Sequence, residues 1–167
     1  IVPAVHGLMP VYASDIFKVG PAGLGLMMSA LGLGATLGTL FLASIRDIKY
    51  KGRFMIGCLA LMVLAALSFS RISVLVVALP LLVIVNGGFD TFAALRSATI
   101  QVVSPDALRG RVSAVNQMGS GLLGLGSLLV GVAADLVGAP STTLIAALIM
   151  LVCIVCITLQ YKRIWTF

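Results

Sequence analysis

The chain has 167 residues, of which 60% are hydrophobic and only 10% are charged, and its mean hydropathy is +1.19. A soluble domain carries roughly a quarter charged residues, so this composition excludes a soluble globule. The formal charge of +6 comes from basic residues in the short breaks between apolar runs. Topology signals lie at such positions, and we therefore expect a polytopic all-α membrane protein that binds no nucleic acid.

Six apolar segments follow one another along the chain, and we interpret all of 1–167 as one transmembrane unit. The first segment, 1–13, is too short to cross a bilayer. We expect it to be the end of a helix that starts before Ile1, so that the sequence is an N-terminally truncated piece. The remaining spans are predicted, between Gly/Pro and charged breaks, at 23–45, 54–70, 73–103, 112–137 and 141–160.

The Lys and Arg residues are distributed unequally between the two sets of alternate loops. Two of them, Lys18 and Arg71, lie in one set. The other set holds eight: Arg46, Lys49, Lys51, Arg53, Arg109, Arg111, Lys162 and Arg163. The positive-inside rule places the richer set and the C-terminus in the cytoplasm, which predicts a multi-pass protein of the inner or plasma membrane.

The cysteines and the histidine give no sign of a catalytic or metal site. Cys153 and Cys156 form a C-x-x-C inside an apolar run, and no further Cys or His accompanies them. We interpret them and Cys58 as packing residues. His6 is the one histidine, and the chain contains no H-E-x-x-H or G-x-S-x-G motif. We therefore expect no metal, no cofactor and no enzymatic activity.

The fourth predicted span carries a polar face that a lipid-facing helix would not have. Helical spacing puts six residues on that face: Asn86, Asp90, Ala93, Ala94, Ser97 and Gln101. Asp90 is near the middle of the span, where an ionised carboxylate costs about 2.5–3.5 kcal/mol on insertion scales. We therefore expect Asp90 to face the bundle interior or a watery cavity, where burial favours the protonated carboxyl and suits proton exchange.

Arg96 lies in the same span, about 120° around the helix from Asp90, so the two are not partners on one face. Helical side chains lean toward the N-terminus, which here points away from the cytoplasm and works against snorkelling. We expect Arg96 to be interior and paired with an acid or with carbonyls of another helix. Two interpretations of Asp90 and Arg96 stay open: a structural role satisfied by neighbouring helices, and a role in handling substrate or protons.

Two other spans are rich in small residues. Ala30, Gly34 and Gly38 recur every four residues, which lets a neighbouring backbone approach closely. A polar and small-residue face in the fifth span includes Asn116, Gln117, Ser120, Gly124 and Gly131. We interpret the glycines as helix-packing residues, and Asn116, Gln117 and Ser120 as candidates for hydrogen bonds to a substrate.

Two segments of the chain match each other weakly. "GTLFLASIRD" (38–47) and "GSLLVGVAAD" (126–135) share Gly, Leu and Asp in register and end spans of opposite orientation. A three-plus-three inverted repeat would leave such a trace.

Three motifs resemble the major facilitator superfamily. "SPDALRGRVSAVN" (104–116) resembles the loop between its tenth and eleventh helices. "LMPVYASDIFKVGPAGLGL" (8–26) is similar to the start of the C-terminal half in the enterobactin exporter-like and macrolide-efflux-like branch. "RDIKYKGR" (46–53) resembles a degraded cytoplasmic signature, in which Arg46–Asp47 reverses the usual order and Gly52–Arg53 keeps the end.

The resemblance implies that the chain is the C-terminal six-helix half of such a transporter, helices seven to twelve, with the seventh cut. Helices seven, eight, ten and eleven would line a cavity, and nine and twelve would face lipid. Two cytoplasmic loops would then serve in gating or in anchoring to lipid headgroups, with the second use the simpler one. Their candidate residues are Asp47, Gly52, Arg53, Asp106, Arg109, Gly110 and Arg111.

Together these features predict a secondary transporter that exports an amphiphilic small molecule, such as a drug or siderophore, coupled to proton entry. Its expected partners are the lipid bilayer, the small-molecule substrate and an N-terminal six-helix half of the same protein. Two alternatives are a non-transporting scaffold or sensor bundle and, less favoured, a membrane-embedded enzyme such as a lipid-modifying transferase or a protease.

Overall fold

The computed structural model describes residues 1–45, 51–103 and 106–160, without the side chains of residues 51, 103, 106–109, 120 and 122. Within these residues the chain is helical and contains no strand. Among them, five helices are long and apolar enough to cross a membrane. A helix is the expected solution in lipid, because it satisfies every backbone N–H and C=O within its own segment.

The N-terminal segment is helical but broken. It consists of α1 (Val2–Gly7), α2 (Met9–Val11) and a π-helical turn (Tyr12–Ile16), and so extends past the predicted end at residue 13. The Tyr12 hydroxyl donates a hydrogen bond to Thr143 Oγ1 at 3.0 Å. The Tyr12 ring also packs on Phe69, with ring centroids 4.7 Å apart. These contacts hold the segment against two later helices.

The long helices are α3 (Gly20–Ser44), α4 (Lys51–Phe69), α5 (Leu75–Val103), α6 (Asp106–Val137) and α7 (Ala139–Gln160). α3 begins earlier than predicted, because Pro21 is tolerated in the first turn, where its missing N–H has no partner to lose. α5 passes through Pro80 without ending and is 29 residues long. At 1.5 Å per residue that is about 43 Å, more than the thickness of a hydrocarbon core. Gly138, with φ +85°, makes the left-handed turn that separates α6 from α7.

α5 is at the centre of the packing. It contacts α3 along much of its length and α4 on another side, and α4 also contacts α7. α6 is the most peripheral helix, in contact chiefly with α1 and α7. None of its described residues is fully buried. The three-plus-three inverted repeat stays a prediction.

Candidate functional site

The polar face predicted for the fourth span carries a hydrogen-bonded pair on α5. Asn86 is buried, with 7% of its surface exposed, and Asp90 is half-buried one turn further along. Asn86 Nδ2 donates to Asp90 Oδ2 at 2.9 Å and to the backbone carbonyl of Leu31 on α3, also at 2.9 Å. The carboxyl of Asp90 is therefore held by an amide that is itself fixed to a second helix.

His6 completes this cluster from a third helix. Its Nε2 lies 3.0 Å from Asn86 Oδ1, so that the Asn86 side chain joins α1, α3 and α5. The sequence motifs alone indicate no role for His6. One general feature of the sequence does indicate one: His6 is an ionisable residue within an apolar helical segment. Such a residue is a functional candidate by default, and its partner should be sought on another helix.

Glycines bring α3 close enough to α5 for the Leu31 carbonyl to reach Asn86. A Cβ added to Gly34 would clash with the carbonyl oxygen of Val83, and one added to Gly38 would clash with that of Gly87. The approach is mutual, because a Cβ on Gly87 would lie 3.0 Å from the carbonyl oxygen of Gly34. The hydroxyl of Thr91 donates to the Gly87 carbonyl at 2.6 Å rather than facing the apolar interface unpaired.

The other two glycines predicted to pack helices, Gly124 and Gly131, are placed differently. A Cβ on either would meet no described atom within 4 Å. The close contact of α6 with α1 is instead at Gly126, where a Cβ would lie 3.1 Å from Pro3, and at Ser127 beside Gly7.

Arg96 lies nearly three turns beyond Asn86 on α5 and is half-buried. Its Nε is enclosed, and no described group forms a hydrogen bond with it. The guanidinium carbon lies 6.0 Å from the ring centroid of Phe92, at the outer limit of a cation–π contact. Among the described residues Arg96 has no ion pair with Asp90 and no acid or carbonyl on another helix at Nε.

The other polar side chains predicted for the site, on α6 and near the end of α5, form no described hydrogen bond with the Asn86–Asp90 pair. Asn116 is half-buried and Gln117 is exposed on α6, and Gln101 is exposed near the end of α5. In the part of the chain with described side chains, none of the three forms a hydrogen bond with Asn86 or Asp90. The side chain of Ser120 lies outside the described residues.

The predicted cytoplasmic loop residues are described only in part. Asp47 and the side chains of Asp106 and Arg109 lie outside the described residues. Gly52 is half-buried and Arg53 exposed in the first turn of α4. Gly110 and Arg111 are exposed in the first turns of α6.

An apolar recess lies where α3, α4 and α5 meet, with a volume of about 250 Å³. Its wall includes Gly38, Cys58, Gly87 and Thr91, and Gly87 is one helical turn from Asp90. The described residues contain no group of His, Cys, Asp or Glu that could hold a metal ion, and the three cysteines are free thiols.

The apolar helices and the low fraction of charged residues define a multi-pass helical membrane protein. Its chain belongs to the transmembrane secretion effector family, a family of major facilitator type, whose model matches residues 2–164. No curated protein and no solved structure matches the chain. Membership in this family supports a transporter and favours transport over catalysis.

Proposed function

We propose that the chain is the C-terminal half of a secondary transporter that exports an amphiphilic small molecule by alternating access, coupled to proton entry. The observation that carries the proposal is the Asn86–Asp90 pair on α5. A carboxyl within a spanning helix, held by an amide that is fixed to α3, is suited to bind and release a proton or a cationic group.

Arg96 supplies the opposite charge in the proposed site. Its Nε is enclosed without a described partner, so it is ready to bind an anionic group of a substrate or an acid in the other half of the transporter. Asn116, Gln117, Ser120 and Gln101 would provide further hydrogen bonds.

The apolar recess beside Gly87 favours an amphiphile as the substrate. Its wall is almost wholly apolar side chains and glycine backbone, one turn from the carboxyl of Asp90. A molecule with an apolar body and a polar group would find both environments within a short distance.

The loops set the proposed orientation. The eight-to-two distribution of Lys and Arg supports cytoplasmic loops before α4 and at the start of α6, and a cytoplasmic C-terminus, in the inner or plasma membrane. Asp47, Gly52, Arg53, Asp106, Arg109, Gly110 and Arg111 would anchor these loops to anionic headgroups or close the cytoplasmic side against an N-terminal six-helix half.

The test uses the full-length protein in liposomes with an imposed pH gradient and a panel of fluorescent amphiphiles, including ethidium and Hoechst 33342. Wild-type protein should move at least one dye when the gradient is present. Asp90→Asn should reduce gradient-driven movement at least tenfold, because an amide cannot exchange a proton at neutral pH.

Asp15→Asn is the matched control. Asp15 is an exposed acid in the π-helical turn and is bonded to Ser14, so its loss should leave flux unchanged. Equal flux in Asp90→Asn and wild type would remove Asp90 from the mechanism. A protein that inserts normally but moves no probe under any gradient would favour the scaffold or sensor alternative.

A further inference from the structure

The direction of the hydrogen bonds around Asn86 is fixed by a backbone group. The Leu31 carbonyl is an acceptor, so the end of the Asn86 amide that faces it must be the NH₂ group. The same NH₂ group uses its second hydrogen for Asp90 Oδ2. The oxygen end of the amide, Oδ1, is therefore the end that faces His6.

This arrangement determines which nitrogen of His6 carries a proton. Oδ1 of an amide can only accept, and His6 Nε2 lies 3.0 Å from it. Nε2 must therefore be protonated in the neutral tautomer as well as in the imidazolium. Two consecutive hydrogen bonds therefore run in one direction. His6 Nε2–H donates to Asn86 Oδ1, and Asn86 Nδ2–H donates to Asp90 Oδ2.

We infer that His6 is a positioning residue for Asp90, acting through Asn86 as the donor that keeps an amide N–H aimed at the carboxyl. The inference rests on the proposed role of Asp90. Asn86 is buried, so without the His6 donor its Oδ1 would lose its described hydrogen-bond partner, and an unpaired buried acceptor is costly. The amide then keeps only the Leu31 carbonyl as a described partner on another helix, so its orientation is held less firmly and Asp90 loses a steady donor.

Few other charged groups are available to take over this role. α3 has no titratable side chain between Gly20 and Ser44, and the charged residue nearest to Asp90 along α5 is Arg96. The titratable residues of the other long helices that pack on α5 are Lys51, Arg53 and Cys58 on α4, and Asp106, Arg109, Arg111 and Asp135 on α6. In the part of the chain that the structure describes, the Asn86 amide is the hydrogen-bond donor to the Asp90 carboxyl.

The test measures the state of the Asp90 carboxyl directly. Dicyclohexylcarbodiimide reacts with protonated carboxyls in apolar surroundings, and mass spectrometry of the full-length protein in lipid identifies the modified peptide. The N–H donor of Asn86 stabilises the ionised carboxylate of Asp90. Asn86→Leu removes this donor and so favours the protonated carboxyl, and labelling of Asp90 at a fixed near-neutral pH should accelerate about tenfold. His6→Leu should accelerate it in the same direction but by less.

Two further variants separate positioning from other roles. His6→Gln keeps an N–H donor near Asn86 Oδ1 and should label at the wild-type rate. The double variant His6→Leu/Asn86→Leu should label no faster than Asn86→Leu alone, because a residue that acts through Asn86 has no effect once Asn86 is gone. If His6→Leu yields no monodisperse protein, the unbranched His6→Met takes its place.

Three results would overturn the inference: wild-type labelling in His6→Leu, full additivity in the double variant, or a His6→Gln rate equal to that of His6→Leu. The last result would mean that the charge of the imidazole, rather than its donor, acts on Asp90. Labelling does not depend on transport. If the labelling order is as expected but Asp90→Asn still transports, the proposed function fails while the positioning role stands.

Discussion

Arg96 has a guanidinium with an enclosed Nε that bonds to no described group. A buried donor without a partner costs about 1–3 kcal/mol of stability. The long aliphatic stem of the side chain packs like that of an apolar residue. The destabilisation therefore comes from the guanidinium group. An arginine that serves a substrate or a moving partner, rather than the resting structure, would have this pattern.

Arg96→Met should therefore separate stability from transport. Methionine keeps much of the apolar volume and removes the unpaired donor, so the melting temperature of the full-length protein should stay the same or rise. Dye flux should fall at least tenfold if Arg96 binds an anionic group. A melting temperature that drops by several degrees, in differential scanning fluorimetry, would instead assign Arg96 a structural role.

The sequence predicts the Asn86–Asp90 pair but not the contact of Asn86 with His6. Asn86 and Asp90 share a face by helical spacing, so one helix is sufficient to place them together. The His6–Asn86 bond joins residues 80 positions apart and depends on how α1, α3 and α5 are arranged in space. No periodicity within a segment contains that information. For Arg96 the sequence predicts an interior position, but whether it has a partner depends on the neighbouring helices.

At the scale of elements, the α3–α5 contact sets the geometry of the site. Glycines on both helices let the backbones meet, and this closeness places the Leu31 carbonyl within 2.9 Å of Asn86 Nδ2. In lipid no hydrophobic effect drives apolar helices together, so dispersion forces and close backbone packing hold them in contact. In the sequence, Ala30, Gly34 and Gly38 show the four-residue spacing of small residues that is typical of a helix contact. This spacing does not indicate which helix they contact.

Gly34→Ala should destabilise this contact. The new Cβ would overlap the Val83 carbonyl oxygen, and overpacking of this kind costs about 1–3 kcal/mol. The midpoint of unfolding, measured in detergent by circular dichroism, should fall. Transport should fall with it, because the Leu31 carbonyl would move away from Asn86.

Gly32→Ala is the control on the same helix. A Cβ at Gly32 meets no described atom within 4 Å, and alanine is favoured over glycine in a helix interior by about 1 kcal/mol. This variant should be as stable as wild type or slightly more so. Equal stability of the two variants would mean that the α3–α5 approach is not tight at Gly34.

At the scale of the whole molecule, α6 and α7 expose different surfaces. The exposed side chains of α7 are almost all apolar and include Cys153 and Cys156, as expected for a helix in contact with lipid. α6 exposes Gln117 among apolar residues, and Asn116 is half-buried beside it. Amide side chains are costly in hydrocarbon, so we expect this part of α6 to face the aqueous pathway of the proposed transporter.

Cysteine accessibility tests this division of surfaces. The background is full-length protein in which Cys58, Cys153 and Cys156 are replaced by alanine, and single cysteines are introduced as Gln117→Cys on α6 or Val152→Cys on α7. A maleimide reacts with the thiolate, which forms in water and not in lipid. A membrane-impermeant maleimide should therefore label Gln117→Cys in intact vesicles and leave Val152→Cys unmodified until sodium dodecyl sulfate is added.

The rate of labelling also tests whether the pathway beside α6 opens to alternate sides of the membrane. If α6 lines a pathway that opens to alternate sides, Gln117→Cys should react at different rates in right-side-out and inverted vesicles, and a transported dye should slow the reaction. Labelling of Val152→Cys before denaturation would place α7 beside water and contradict the proposed arrangement. Failure of Gln117→Cys to react from either side would place α6 against lipid or protein, and the pathway would have to be sought between other helices.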